Sequence, residues 1–294
     1  MNKKALFVLL GQSNAVGHAV PMAEEDKILT PMKNVFGLHR KDNQKLDLEK
    51  LTWSGYTSDG MNLGETQDHT YSLANCLAKY WQEAVDAGRD LPDLYIVQIA
   101  IGAQGVAPQF MWHPDRAPVL IPGTLSKVNI SLYPYTMHIL SRVKEDLGNV
   151  EQAYVHWRGG EQDMAAVFED PTIDLLSIYQ KMVDDLNKTL GDPNIVFHKI
   201  VAKDRMAEEP TGTKARIMAD INDIFEHFAE AENVTTFDPR RYPGFDPNVM
   251  GEGIFKEDNI HFKPEVNQWV AKEIFNAYTK WAGACSRRKV REQS

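Results

Sequence analysis

Cysteine is nearly absent from this 294-residue chain: Cys76 and Cys285 are the only two. Two cysteines make neither a disulfide framework nor a cysteine-based zinc site, and they fit a reducing compartment. No pair of histidines falls in His-x-x-x-His spacing and no Cys-x-x-Cys occurs, so the sequence offers no metal site. His18, His113, His156 and His198 therefore read as partly buried, hydrogen-bonded side chains. Long apolar runs are missing too. Ala5 to Leu10 is too short for a signal-peptide core and no small-residue cleavage site follows it. No stretch approaches the roughly 20 apolar residues that span a bilayer. The expected location is cytoplasmic, or secreted if a leader has been removed. Positive charge is also scarce: 32 Lys and Arg against 41 Asp and Glu give a net charge of −9. That balance argues against nucleic-acid or anionic-membrane partners, which require a basic face. The one basic cluster, Arg287-Arg288-Lys289 with Arg291, lies in a polar segment read as a frayed tail over 285–294.

What is present is an ordinary globular composition, 43% hydrophobic and 25% charged, long enough for a sizeable core. It is read as one domain over residues 1–284. Strand-like apolar runs at 5–10, 94–101, 153–157, 195–202 and 234–237 alternate with helical periodicity. Tyr71, Ala74, Leu77, Ala78, Trp81 and Val85 mark one helix, residues 128–147 another, and Leu175 to Leu190 a third. Ile217 to Ala231 and a closing helix carrying Val266, Trp269, Val270, Ile274, Ala277, Tyr278 and Trp281 complete the set. The alternation predicts an α/β fold with a parallel sheet covered on both faces. Residues 22–67 and 107–127 show no sustained period and read as long loops over one edge of the sheet.

The chemistry gathers at strand ends. Gly11-Gln12-Ser13-Asn14 follows the first strand, where a tight turn can hold a hydroxyl rigidly at the carboxyl edge of a sheet. Such a turn is also an ordinary connection. Ser13 gains weight from Asp258-Asn259-Ile260-His261 near the other end. A serine hydroxyl needs a base to take its proton, usually a histidine oriented by a carboxylate. A three-residue separation lets a loop fold Asp258 back onto the imidazole of His261. Asp258 could instead cap the following helix. Two further turns, Gly102 to Gly105 and Gly159 to Asp163, end the second and third strands on the same edge. Glu161, in the last of these, is the alternative partner for His261, or a structural acid. The serine turn lacks the Lys and Ser/Thr of a P-loop and the Gly-x-Gly-x-x-Gly of a dinucleotide fold. Trp53, Tyr56, Phe110 and Trp112 lie in the two irregular segments, where they could stack on a sugar or pack the loops down.

Together, Gly-Gln-Ser-Asn, the Gly-rich turn after the second strand, Trp-x-x-Gly-Glu-x-Asp after the third and Asp-x-x-His before the last helix resemble the SGNH hydrolase superfamily. The closest branch is that of sialate O-acetylesterases and carbohydrate esterase family six acetylxylan esterases. The resemblance implies a three-layer α/β/α fold with a five-stranded parallel, flavodoxin-like sheet and no metal or other cofactor. It also implies hydrolysis of an acetyl or other short acyl ester, carried by a small molecule or oligosaccharide. By position, Ser13 would be the nucleophile, His261 the base and Asp258 its orienting acid, with oxyanion donors from the N–H groups of Ser13, Gly102 and Ala103. Gln12, Asn14, Arg158, Gly160 and Glu161 would support them. The chain departs from the pattern at Gly159, where relatives carry an amide side chain, and at Ala103, where they carry a second glycine. The alternatives are a catalytically impaired glycan-binding member of this fold, or a short-chain lipase or thioesterase.

Overall fold

The computed structural model describes residues 3–40, 51–115, 131–201, 212–246, 253–258 and 260–291, with side chains as far as residue 279. The first strand, β1 (Lys4–Gly11), sets the plan of the molecule. Its residues alternate between two buried faces, Ala5, Phe7 and Leu9 on one and Leu6, Val8 and Leu10 on the other. A strand apolar on both sides belongs inside a parallel sheet sandwiched between helices. That is where it lies: β1 pairs in parallel with β4 (Asp93–Ala100) on one side and β5 (Gln152–Arg158) on the other.

The remaining strands are β2 (Val35–Leu38), β3 (Trp53–Gly55), β6 (Asn194–His198) and β7 (Val234–Phe237), and the sheet order is β3-β2-β4-β1-β5-β6-β7. All five strands expected from the sequence are present, but the sheet has seven, which corrects the five-stranded expectation. The additional pair falls inside the segment read as irregular. β2 is four residues long with Gly37 in its middle, and β3 is three residues long and antiparallel to it. Such pieces carry no readable period; they become strands because β2 finds a ready edge on β4.

Helices cover both faces. On one side α2 (Leu73–Asp86) and the closing helix α7 (Pro264–Arg291) bury Leu73, Leu77, Trp81, Val266, Val270 and Ile274 against Ala5, Phe7 and Leu9. The backbone of α7 stays helical through the start of the basic segment at 285. On the other side α3 (Leu132–Leu147), α5 (Leu175–Leu190) and α6 (Thr213–Phe228) pack on Leu6, Val8 and Leu10. Two shorter helices follow strand ends: α1 (Ser13–Val16) after β1 and α4 (Glu161–Glu169) after β5. Neither was legible as a helix, because turn residues open both. Among the described residues no helix is long and apolar enough to cross a membrane.

Successive strands β4 and β5 lie on opposite sides of β1. The chain therefore changes direction across the sheet there, and the carboxyl ends of these three strands bound the crevice where open α/β sheets bind ligands.

Candidate active site

Gly11 closes β1 at φ +143°, a conformation glycine alone adopts readily, and a Cβ there would lie 2.1 Å from the Arg158 carbonyl oxygen. The next peptide completes the junction: the Gln12 N–H donates to that same oxygen at 3.1 Å. Gln12 is 2% exposed and its Oε1 has no partner among the described residues. Ser13 follows as the first residue of α1, almost buried at 8% exposure.

Asn14 connects this turn to the far end of the chain. Its Nδ2 donates to Glu161 Oε1 at 3.0 Å and to the Ile260 carbonyl at 3.3 Å, and its Oδ1 accepts the Phe262 N–H at 3.2 Å. One amide side chain thus grips the main chain on both sides of His261. Lys256 adds a bond to the Ala19 carbonyl, and the His18 and His261 rings lie with centroids 5.0 Å apart.

Within the loop, Asp258 Oδ1 accepts the N–H groups of Ile260 and His261 at 3.0 and 2.9 Å, while Oδ2 meets His261 Nδ1 at 2.8 Å. Partial burial opposes charge on this carboxylate, but the two N–H groups and the imidazole outweigh it and hold Asp258 down to about 2. With Nδ1 so engaged, Nε2 is the ring nitrogen open to take a proton, as a general base requires. Among the described residues no hydrogen bond joins the Ser13 hydroxyl to the imidazole. Such bonds commonly tighten only when substrate is bound.

Glu161, the alternative acid, is engaged elsewhere: Oε1 takes Asn14 and Oε2 is buried without a partner among the described residues. Gly160 precedes it at φ +117°, with Ile200 Cδ1 2.6 Å from where a Cβ would stand. Gly159 lies under the Trp157 indole, whose nearest atom is 2.9 Å from a notional Cβ, so any side chain here would require that ring to shift. The neighbouring Arg158 has Nε, Nη1 and Nη2 buried without a hydrogen-bond partner among the described residues. The guanidinium is 2% exposed, stacked 4.6 Å from the Phe262 ring centroid, and burial pulls it down to about 10 despite the nearby Glu161 charge.

The turn after β4 supplies the remaining positions. Gly102 lies beside Ser13, a Cβ on it falling 3.8 Å from Ser13 Cβ, but its N–H is donated to Glu65 Oε2 at 2.9 Å. Ala103 sits at φ +57°, in the left-handed region that residues with a Cβ enter at a cost of about 1 kcal/mol. The turn is braced by Asp163, fully buried, which accepts the Ala107 N–H at 2.8 Å and the Tyr179 hydroxyl at 2.9 Å. Gly105 must be glycine, because a Cβ would stand 2.3 Å from that carboxylate.

Glu65, His18 and Asp163 were not among the expected site residues. Glu65 and His18 carry no local signal, being polar residues in a loop and a turn. Asp163 closes the Gly-Glu-x-Asp motif, and that position was its only clue. The aromatic residues expected above the site are anchors instead. Tyr56 and Trp112 are buried, with hydrogen bonds to Asn75 and Gly11, Phe110 is packed against the core, and Trp53 lies edge-on to Tyr95. Among the described residues no group of three His, Cys, Asp or Glu side chains is placed to hold a metal.

No family model and no curated protein matches this sequence. The fold, however, is similar to solved structures. NanS superposes with a TM-score of 0.60 at 14% identity, covering 96% of this chain and 98% of its own. A protein from Arabidopsis thaliana superposes with a TM-score of 0.56 at 15% identity, covering 95% and 99%. An acetyl xylan esterase, AlAXEase, is more distant, at a TM-score of 0.47 and 11% identity over 93% of this chain and 98% of that one.

Proposed function

We propose that the protein is a serine esterase that removes an acetyl or other short acyl group, carried by a carbohydrate, through Ser13, His261 and Asp258. The observation that carries this reading is Asn14: the residue next to Ser13 binds the main chain on both sides of His261, whose Nδ1 is held by Asp258. Local sequence does not require three groups from opposite ends of the chain to be fastened together in this way. Acyl transfer does.

In the proposed reaction the Ser13 hydroxyl attacks the ester carbonyl and its proton passes to His261 Nε2. The tetrahedral oxyanion is met by the N–H groups of Ser13 and Ala103, the Gly102 N–H being taken by Glu65, and collapses as His261 returns the proton to the leaving alcohol. A water molecule then attacks the acyl-enzyme, gives its proton to His261, and the acid leaves as Ser13 is reprotonated. The ionised Asp258 stabilises the imidazolium in both halves of the cycle. No step calls for a metal or cofactor.

Ser13→Ala is expected to abolish hydrolysis of an aryl acetate and labelling by a fluorophosphonate, with circular dichroism unchanged. A fully active variant overturns the assignment. A second reading, glycan binding without turnover, draws on the missing amide at Gly159 and on the engagement of the Gly102 N–H by Glu65. Failure of the wild-type protein to react with the fluorophosphonate would favour it.

A further inference from the structure

Glu65 belongs to a loop that the fold holds with unusual care. Asn62 extends the hydrogen bonding at the end of β4, donating to the Ala100 carbonyl and accepting the N–H groups of Ala100 and Gly64, each at 3.1 Å. Only glycine fits next, since a Cβ on Gly64 would stand 2.4 Å from the Ala100 carbonyl oxygen. Arg40, 1% exposed, donates through Nη1 to the Glu65 carbonyl at 2.6 Å and through Nη2 to both oxygens of Asp68 at 2.7 and 2.8 Å. Asp68 in turn accepts the Gly60 N–H at 2.8 Å. A buried guanidinium is costly to desolvate, and here it is committed to the main chain of Glu65.

From this clamped backbone the carboxylate reaches inward. Oε2 accepts the Gly102 N–H at 2.9 Å, on the peptide whose α-carbon faces Ser13. Oε1 lies 3.6 Å from His18 Nδ1, and the His18 ring flanks that of His261. The side chain keeps 17% of its surface open and lies at the Gly102 peptide, next to Ser13. Asp258 adds a second carboxylate to the same site. Of the two buried guanidiniums nearby, Arg40 is taken up by the Glu65 carbonyl and Asp68, and Arg158 is stacked 4.6 Å from the Phe262 ring centroid.

We infer that Glu65 is a specificity-determining residue: it rejects esters whose alcohol bears a negative charge and admits neutral or cationic ones, accepting hydrogen bonds from their hydroxyl or ammonium groups. The inference rests on the esterase reading above and narrows it to O-acylated neutral or amino sugars, excluding acidic sugars. The physical basis is that like charges brought together in a partly desolvated site repel strongly, whereas a carboxylate is a good acceptor for sugar donors.

The test compares kcat/KM for a matched pair, an O-acetylated methyl glucoside and the methyl glucuronide acetylated at the same position, in the wild type and in Glu65→Gln. Glutamine keeps the length and an oxygen for the Gly102 N–H while removing the charge. The wild type is expected to prefer the neutral ester by about tenfold or more, and Glu65→Gln to shrink that ratio at least about fivefold. High ionic strength should shrink the wild-type ratio in the same direction, a readout that does not depend on the folding of any variant. The inference falls if the wild type takes both esters equally, or if a folded Glu65→Gln leaves the ratio within about twofold. In those cases continued hydrolysis of an aryl acetate leaves the esterase reading standing. If the wild type hydrolyses no ester at all, that reading fails and the inference with it.

Discussion

Asn14 shows how much one side chain can decide. Its three hydrogen bonds join the serine turn, the first residue of α4 and the His261 loop. Alanine at this position removes the amide without touching the reacting groups. Asn14→Ala is therefore expected to lower kcat by roughly 10²-fold with a much smaller change in KM, the signature of displaced catalytic groups. Steady-state kinetics with a thermal melt of the same sample checks this; a fall in Tm with kcat preserved would make Asn14 merely structural. Ser13 and the Asp258–His261 pair could be read from the sequence because a strand-ending turn and a three-residue spacing are local. Asn14 was legible only as a motif letter, since its partners lie up to 248 residues away.

At the scale of elements, the turns after β4 and β5 are braced against each other by Asp163. Burial raises its carboxyl from an ordinary value near 3.8 to about 6, against the opposing pull of the Ala107 N–H and the Tyr179 hydroxyl. The sign follows from linkage: an acid whose value is raised on folding binds more protons in the native state, so stability falls as pH rises from about 4 to about 6. A shift of this size is worth on the order of 3 kcal/mol. Asp163→Asn should remove that part of the slope. The difference between wild-type and variant unfolding free energies in urea, measured every half unit across this window, checks it; parallel curves would refute it. The long elements were legible for the same reason that these turns were not. α5 spans Leu175–Leu190 as its periodicity predicts, because one apolar face repeats over four turns. β2 and β3 are too short to repeat anything, and their pairing decides them.

For the molecule as a whole, the helical layer formed by α2 and α7 covers a buried polar chain. His156 Nδ1 and His198 Nε2 are 2.8 Å apart, and His156 Nε2 meets the Tyr278 hydroxyl on α7. Burial, with the Arg158 charge adding to it, pushes His156 down to about 3 and His198 well below its usual value near 6.5. Both are held neutral, so the unfolded chain binds more protons below 6.5. The stability they carry is present above that pH and is lost as pH falls toward 3. His198→Gln is expected to lose less stability than the wild type between pH 6.5 and 4, a comparison of slopes that a general destabilisation would not mimic. Urea titrations at fixed pH values decide it; equal slopes would exclude the pair as the source of acid sensitivity. The window overlaps that of Asp163 with the opposite sign, and the two variants separate the contributions.

The sequence by itself determined the alternation of strands and helices and the buried parallel core around β1, and it nominated the three residues proposed for catalysis. Each is written in short stretches, as a periodicity for the elements and as a local motif for the candidate residues. Only the tertiary structure decided the two edge strands, the grip of Asn14 on the His261 loop, the burial of Arg158 beneath Phe262, and the arrival of Glu65 at Gly102. These depend on contacts between segments far apart in the chain, where the geometry is set by the packing of the whole sheet and no local pattern records it.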